Sequence, residues 1–463
     1  MSDYRAIPSI DELRRRPALQ ALESRYGAAA TVDAIRAAAA EVRKTIGAGA
    51  GVARADDVVP RIESAAAAAL ERAFRPSLDA VINATGVVIH TNLGRAPLAA
   101  SAIERIAAVS RGYCSLEYDV SRGERGQRDV HAERLLCRLT GAEAAVVVNN
   151  NAAAALLLLA AVAVGREVIV SRGELVEIGG GFRVPDVLKQ SGAVLREVGT
   201  TNRTRISDYA AAVTDRTALI LRIHPSNFRI EGFTARPSLN ELVDVGRKLG
   251  VPVAEDLGSG LLDTGFDGQN GHPLANVEPS VNASIAAGVD ACCFSGDKLV
   301  GGPQAGIVVG RKTFIAALKK HPLMRALRVD KLTYAALEAT LVEYAAGRAA
   351  NTIPVQRMLT MTADAIRARA EHVAAAIAAL AGWRATLVED ASAAGGGSAP
   401  GVALPTWLVA VESDRLTASQ IDERLRALEP PIVARILRDR VVLDVRTIPP
   451  ADDEVVIASF ARL

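Results

Sequence analysis

The amino-acid sequence predicts an α/β protein. A large domain built on a mainly parallel seven-stranded sheet follows a small helical domain and precedes an α+β domain. Three observations carry that expectation. Between about residues 80 and 330, seven short β-rich runs alternate with helix-like segments, as in a parallel sheet covered on both faces. The first 78 residues hold helical patterns only. The last part of the chain opens on alanine-rich helix patterns and then returns to strands. The expected domains are therefore 1–78, 79–335 and 336–463.

The helical region reads "SIDELRRRPALQALESRYG", "ATVDAIRAAAAEVRKTIGAG" and "RIESAAAAALERAF". Ser9 followed by Glu12 predicts a capping box, and Gly27 and Gly47 are placed to end helices. The triplet Arg14, Arg15 and Arg16 reads as a solvated helix face. In the large region the strand candidates are 144–148, 167–170, 193–198, 218–223, 251–255, 290–294 and 306–310. Segments such as "NAAAALLLLAAVA" and "LNELVDVGRKLG" supply helices between them. The third region runs through "ASAAGGGSAPG" into "TWLVAVES", "TASQIDERLRAL", "PPIVARILRD" and "RVVLDVRTI". That is strand, helix, strand, strand, with no internal repeat.

Composition narrows the class. The 463 residues are 50% hydrophobic, ample for a large core and more than one domain. The net charge of +2 advertises no acidic or basic partner. Cys114, Cys137, Cys292 and Cys293 form no C-x-x-C unit, so buried reduced thiols are expected rather than a disulfide or a metal site. The six histidines lack metal-ligand spacing. The opening "MSDYRAIPSIDELRRRP" has no apolar core of a secretory signal. The run "AAAALLLLAAVAVG" is too short for a membrane span. A soluble, cytoplasmic protein without metal is expected.

Only eight of the 54 basic residues are lysines. Where a positive charge suffices, the chain uses arginine, so a lysine in "FSGDKLVGGPQAG" invites a role that needs an amine: a nucleophile, which a guanidinium cannot be. Lys298 follows Ser295 and Asp297 at the end of a predicted strand. Two other strands deliver polar groups to the same sheet edge, where ligands of open α/β sheets bind. "VVVNNNAAAALL" passes from strand to helix through Asn149, Asn150 and Asn151, a helix N-terminus that can seat a phosphate or simply be capped by one asparagine. "VPVAEDLGSG" places Asp256 after a buried strand, as a structural carboxylate or as a partner for a cation.

One cofactor uses all three. Pyridoxal 5′-phosphate needs a helix N-terminus for its phosphate, a carboxylate for its ring nitrogen and a lysine for its Schiff base. The order here, phosphate turn, then Asp256, then Lys298 some forty residues on, is that of the fold-type I pyridoxal phosphate enzymes. Neither a Walker loop nor a dinucleotide fingerprint is present.

At a larger scale, "INATGVVIHTNLGRAPL", "LEYDVSRGERGQR", "VVVNNNAAAALL", "VSRGELVEIGGGFRVPDV", "EVGTTNRTRISDY", "EDLGSG" and "FSGDKLVGGPQAGI" resemble the bacterial selenocysteine synthase family, L-seryl-tRNA(Sec) selenium transferase. The resemblance spans nearly the whole chain, including the helical start and "GGGSAPG". It implies a fold-type I transferase that converts seryl-tRNA(Sec) to selenocysteinyl-tRNA(Sec) with selenophosphate, through a dehydroalanyl intermediate. It also implies a homodecamer built from dimers, and tRNA recognition by the helical domain. By the same resemblance Lys298 and Asp297 are catalytic, while Arg95, Arg325 and Arg328 hold the selenium donor. Arg325 and Arg328, three apart, would share one helix face. Asp256, Asn150, Asn151, Ser295, His224 and Asn227 are expected around the cofactor. For His224 and Asn227 a plain role in the turn at Pro225 is the other reading. Two alternatives remain open at this point. One is a related pyridoxal phosphate lyase acting on a small amino acid or amino sugar phosphate. The other is an RNA-binding scaffold without catalysis.

Overall fold

Ser9 opens the first helix as the S-x-x-E spacing predicts. Its hydroxyl accepts from the Glu12 N–H at 3.2 Å, and the Glu12 carboxylate accepts from the Ser9 N–H at 2.8 Å. Helix α1 (Ile10–Arg14) stops before Pro17, because the residue preceding a proline is driven into extended geometry. Arg16 accordingly has ψ 136°, and α2 (Pro17–Tyr26) begins at the proline. Gly27, with φ 88°, turns the chain from α2 into α3 (Ala28–Gly47). Helix α4 (Ala55–Phe74) completes the bundle. Leu13, Leu19, Ile35, Val42, Ile62 and Leu70 form its core. Arg14 pairs with Glu23 and Arg16 with Glu63, each at 2.6 Å, so two of the three clustered arginines are engaged within the bundle.

The structure is a computed structural model that describes residues 7–48, 55–178, 181–262 and 272–463. Contacts divide the chain into two compact units, Met1–Ala80 and Val81–Leu463. In the second unit a two-residue strand, Ile82–Asn83, is followed by the short strand β1 (Val87–Ile89). The seven expected strands follow: β2 (Ala144–Val148), β3 (Glu167–Ser171), β4 (Val194–Val198), β5 (Thr217–Ile223), β6 (Val253–Gly258), β7 (Ala291–Ser295) and β8 (Gly306–Gly310). They form one sheet in the order β2-β8-β7-β6-β5-β3-β4. Only β8 runs antiparallel to its neighbours. The other six strands therefore end at one common edge.

Alternate residues of these strands enter two cores. Ala145, Val147, Cys292 and Phe294 pack on one face; Val146, Val148, Ala291 and Cys293 pack on the other. Burial on both faces explains the continuous apolar runs. Helix α5 (Asn151–Val162) leaves β2 directly and lays Ala154, Leu157 and Leu158 into the second core.

A second sheet has five strands. It contains β9 (Trp383–Gly395), β10 (Ala403–Ser413), β11 (Arg435–Leu437) and β12 (Arg440–Asp444), in the order β11-β12-β10-β9-β1. The helical reading of the alanine-rich stretch before "GGGSAPG" misses β9, the longest strand. Its second half, from Glu389 to Gly395, has little intrinsic β preference, and pairing with β10 from Trp383↔Ser413 to Ala393↔Ala403 imposes the conformation. Strand β1 joins the same sheet through Ala393↔Val87, so a segment from early in the chain completes the late sheet. Helix 418–426 and the two short strands after it stand where the pattern predicts.

The start of β8 fixes the β2–α5 turn. A Cβ on Gly306 would lie 2.0 Å from the Asn150 carbonyl oxygen. Gly306→Ala is expected to cost about 1–3 kcal/mol through overpacking. Urea unfolding monitored by circular dichroism measures it.

Candidate active site

The common strand edge gathers the polar residues. Asp256 lies in β6 opposite Ile223 of β5 and Cys293 of β7, in the middle of the sheet. Its Oδ1 accepts from the Asn151 amide at 2.8 Å and from the Gly258 N–H at 3.1 Å. Burial pushes the Asp256 carboxyl above its ordinary range, while the Asn151 hydrogen bond and the Lys298 charge pull it back. Asn150 caps α5, its Oδ1 accepting from the Ala153 N–H at 2.8 Å. The two asparagines thus divide the work. Asn150 shapes the helix start, and Asn151 reaches across to the carboxylate. The first-turn N–H groups of α5 remain as an anion seat.

β7 ends at Ser295, which is buried, and the chain folds into the tight turn carrying Asp297 and Lys298. Gly296 donates to the Ala305 carbonyl at 2.8 Å, and Gly302 donates to the Gly296 carbonyl at 2.9 Å. Leu299 donates to the Ser259 carbonyl, and the Tyr344 hydroxyl donates to the Val300 carbonyl at 3.0 Å. The turn is held on all sides. Lys298 is 7% exposed, and its amine makes no hydrogen bond or ion pair with the described residues. Burial lowers its pKa first and the Arg95 charge lowers it further; Asp256, Asp297 and Glu278 act in the opposite direction.

Arg95 donates from Nη1 to Asp297 Oδ2 at 2.8 Å. Its backbone is left-handed, φ 66°, at a cost of about 1–2 kcal/mol for a residue with a Cβ. The Arg95 N–H bonded to the His90 carbonyl at 3.0 Å and the ion pair to Asp297 hold it there. His224 follows β5. Its N–H donates to the Asp256 carbonyl at 2.8 Å, and its Nε2 lies 3.5 Å from Glu278 Oε2. Asn227 is exposed and donates its amide to the Glu177 carbonyl at 2.8 Å, a tie between loops.

The paired arginines need correction. Helix α6 (Leu323–Leu327) ends before Arg328, whose ψ of 146° takes it out of the helix. Arg325 and Arg328 therefore do not share a helical face. Arg325 is exposed. Arg328 forms an isolated bridge to Val148 and approaches Glu117, 3.6 Å from Nη1 to Oε1. The same carboxylate also pairs with Arg125 and Arg128. This group stands at the β2 end of the sheet. No hydrogen bond or ion pair among the described residues joins it to Arg95.

Three participants escape sequence reasoning. Ser226 is buried between His224 and Asn227, and a Cβ on Gly258 would lie 3.7 Å from its Oγ and 3.9 Å from the Lys298 amine. The signal for Ser226 is its place inside "HPSN", beside His224 and Asn227. Glu278 is buried, accepts from the Ala399 N–H at 3.0 Å and faces His224, but nothing in "NVEPS" marks it. Cys293, beside Asp256 across the sheet, helps pull that carboxyl's pKa back down.

The residues fit pyridoxal phosphate. A buried amine without a partner, a half-buried central carboxylate, a helix N-terminus and the orphaned Asn151 Oδ1 converge on one edge. The left-handed Gly258 leaves open the space a side chain would fill beside the lysine. Fold and site define a pyridoxal-phosphate-dependent enzyme of fold-type I.

The chain belongs to the L-seryl-tRNA selenium transferase family, whose model matches residues 81–449. The selenocysteine synthase N-terminal model matches residues 4–43. The L-seryl-tRNA(Sec) selenium transferase of Geobacter sulfurreducens is 47% identical and covers 100% of both chains. That of Geobacter metallireducens is 48% identical over the same full coverage, and that of Hyphomonas neptunium is 45% identical over 99% of this chain and 98% of its own. Among solved structures, D-glucosaminate-6-phosphate ammonia-lyase aligns over 83% of this chain and 95% of its own, with TM-score 0.57 and 23% identity. That likeness concerns the fold.

The lowered Lys298 pKa has a consequence for stability. A base whose pKa is lower in the folded state destabilises that state where both forms are protonated. The penalty fades as pH rises from the folded value to the ordinary lysine value. Cofactor-free Lys298→Met is therefore expected to melt above cofactor-free wild type at pH 7, with the gap closing toward alkaline pH. Calorimetry over pH 7 to about 10 checks the trend.

Proposed function

We propose that the protein converts L-seryl-tRNA(Sec) to L-selenocysteinyl-tRNA(Sec), with selenophosphate as selenium donor and inorganic phosphate as by-product. The observation that carries this reading is the convergence of Asp256, Asn151 and an unpartnered buried Lys298 in a chain matched along its full length by seryl-tRNA(Sec) selenium transferases. Pyridoxal phosphate, when bound, supplies the electron sink that lets a proton leave the seryl α-carbon and water leave the β-carbon. Lys298 holds the cofactor through its amine and, once displaced by the seryl amine, moves the α-proton. Asp256 keeps the ring nitrogen protonated, and Asn151 keeps Asp256 in place. The α5 N-terminus and Ser295 would hold the cofactor phosphate, while His224, tied to β6 and facing Glu278, would border its ring. Asn227 fixes the loop that follows.

Arg95 faces the selenium donor, with Asp297 orienting its guanidinium beside Lys298. Arg325 and Arg328 act on the donor, Arg328 from the separate Glu117 cluster, and meet Arg95 across subunits of a homodecamer built from dimers. The helical unit recognises tRNA(Sec), the large α/β domain spans 79–335 and the small α+β domain 336–463. No helix among the described residues is long and apolar enough to cross a membrane, in keeping with a cytoplasmic enzyme.

Purified holoenzyme given seryl-tRNA(Sec) and selenophosphate should yield selenocysteinyl-tRNA, read by hydrolysis and mass spectrometry. Unchanged seryl-tRNA together with deamination of small amino acids or amino sugar phosphates would instead establish a lyase. Lys298→Ala should lower kcat/KM by about 10³-fold or more. Residues 81–463 alone are expected to retain the cofactor's visible absorption and to lose affinity for tRNA(Sec). Retained affinity would remove the recognition role from the helical unit.

A further inference from the structure

The loop 395–401 connects the lysine site to a cavity that the mechanism above leaves unused. Gly395, Gly396 and Gly397 are all left-handed, as are Ala399 and Gly401. A Cβ on Gly397 would sit 3.7 Å from Ser226 Oγ, beside the Lys298 site; one on Gly401 would sit 3.8 Å from Arg229 Nη1. Around Arg229 opens a cavity of about 580 Å³, within the range of small-molecule sites. It lies past the ends of β3, β4 and β5, on the opposite side of Asp256 from β2 and the phosphate turn. His224, whose N–H donates to the Asp256 carbonyl, lines this cavity.

The lining combines two chemistries. Pro225, Phe228, Val277 and Pro400 give apolar surface, including one aromatic ring, while Arg203 and Arg229 bring exposed cations. Flat apolar surface and guanidinium groups at one cavity match a nucleobase and a phosphate.

We propose that this cavity receives the 3′-terminal adenosine of the aminoacylated substrate, with the base against Phe228 and the 5′-phosphate toward Arg203 and Arg229. The inference rests on the seryl-tRNA reading and deepens it. Every aminoacyl-tRNA carries its amino acid on the ribose of a terminal adenosine, so a seryl group presented to Lys298 brings an adenosine within one ester linkage. Its α-carboxyl is an ester without charge, and loop 395–401 can pass close to it without supplying a cation.

Adenosine 5′-monophosphate is the probe. It should bind wild-type holoenzyme in calorimetry and compete with seryl-tRNA(Sec). Phe228→Ala removes the ring, and Val277→Trp fills the cavity from an exposed position without removing packing. Both variants should keep the cofactor's visible absorption, raise KM for seryl-tRNA(Sec) about 10- to 100-fold and lose nucleotide binding, with kcat little changed. Nucleotide binding unaltered in both variants, wild-type KM in both, or inorganic phosphate competing as well as the nucleotide would each overturn the proposal. Nucleotide binding that both variants abolish, in a wild-type enzyme that leaves seryl-tRNA unchanged, would support a nucleotide cavity and remove the reaction reading instead.

Discussion

The carboxylate of Asp256 in the middle of the sheet sets the terms for everything around it. A carboxylate at that depth is costly unless it is hydrogen-bonded and faces positive charge. The chain meets the requirement in several ways. Asn151 comes from the helix after β2, the Gly258 N–H from the same strand, Cys293 from the next strand and Lys298 from the turn beyond it. Each belongs to a different element, so the arrangement exists only when β2, β6 and β7 are in register. With the chain alone, burial still raises the carboxyl's pKa. A pyridinium nitrogen supplies the missing positive partner, and cofactor and carboxylate thereby stabilise each other's charged forms.

Lys298 presents the opposite problem. Burial disfavours its charge and Arg95 adds repulsion, so an amine that must act as a nucleophile is held in an environment that favours its neutral form. Asp297 moderates this. By engaging the Arg95 guanidinium at 2.8 Å it keeps a cation next to the lysine without leaving that cation unpaired. The strained backbone at Arg95 is paid for by these contacts. Function and strain coincide where the side chain has to point inward from a turn led by Gly94, itself left-handed.

The central sheet was legible because each strand, buried on both faces, writes a short apolar run into the sequence. Asp256 and Lys298 were legible because each stands just past such a run. β9 was not: its alanines, glutamate and aspartate favour no strand, and its partner β10 lies across a glycine loop. Glu278 left no trace, because its meaning comes from His224 and Ala399, both distant in sequence. The Arg325–Arg328 spacing pointed the wrong way for a local reason. A five-residue helix can end between two residues whose spacing assumes that it continues.

Lysine usage now has a physical account. Arginines carry structural work in the interior: buried Arg446 donates to the Met358 and Pro405 carbonyls, and half-buried Arg369 to the Val445 and Ile448 carbonyls. Such sites exploit a planar fork that reaches several acceptors at once and that burial does not discharge. Lys319 and Lys331, half-buried or exposed, meet a carboxylate and backbone carbonyls. Among the described residues Lys298 is the one buried lysine, and its amine engages no acceptor. A guanidinium at this position would stay charged and would satisfy Asp256 permanently. A primary amine can give up its proton and bond to carbon, and the site leaves it free to do so.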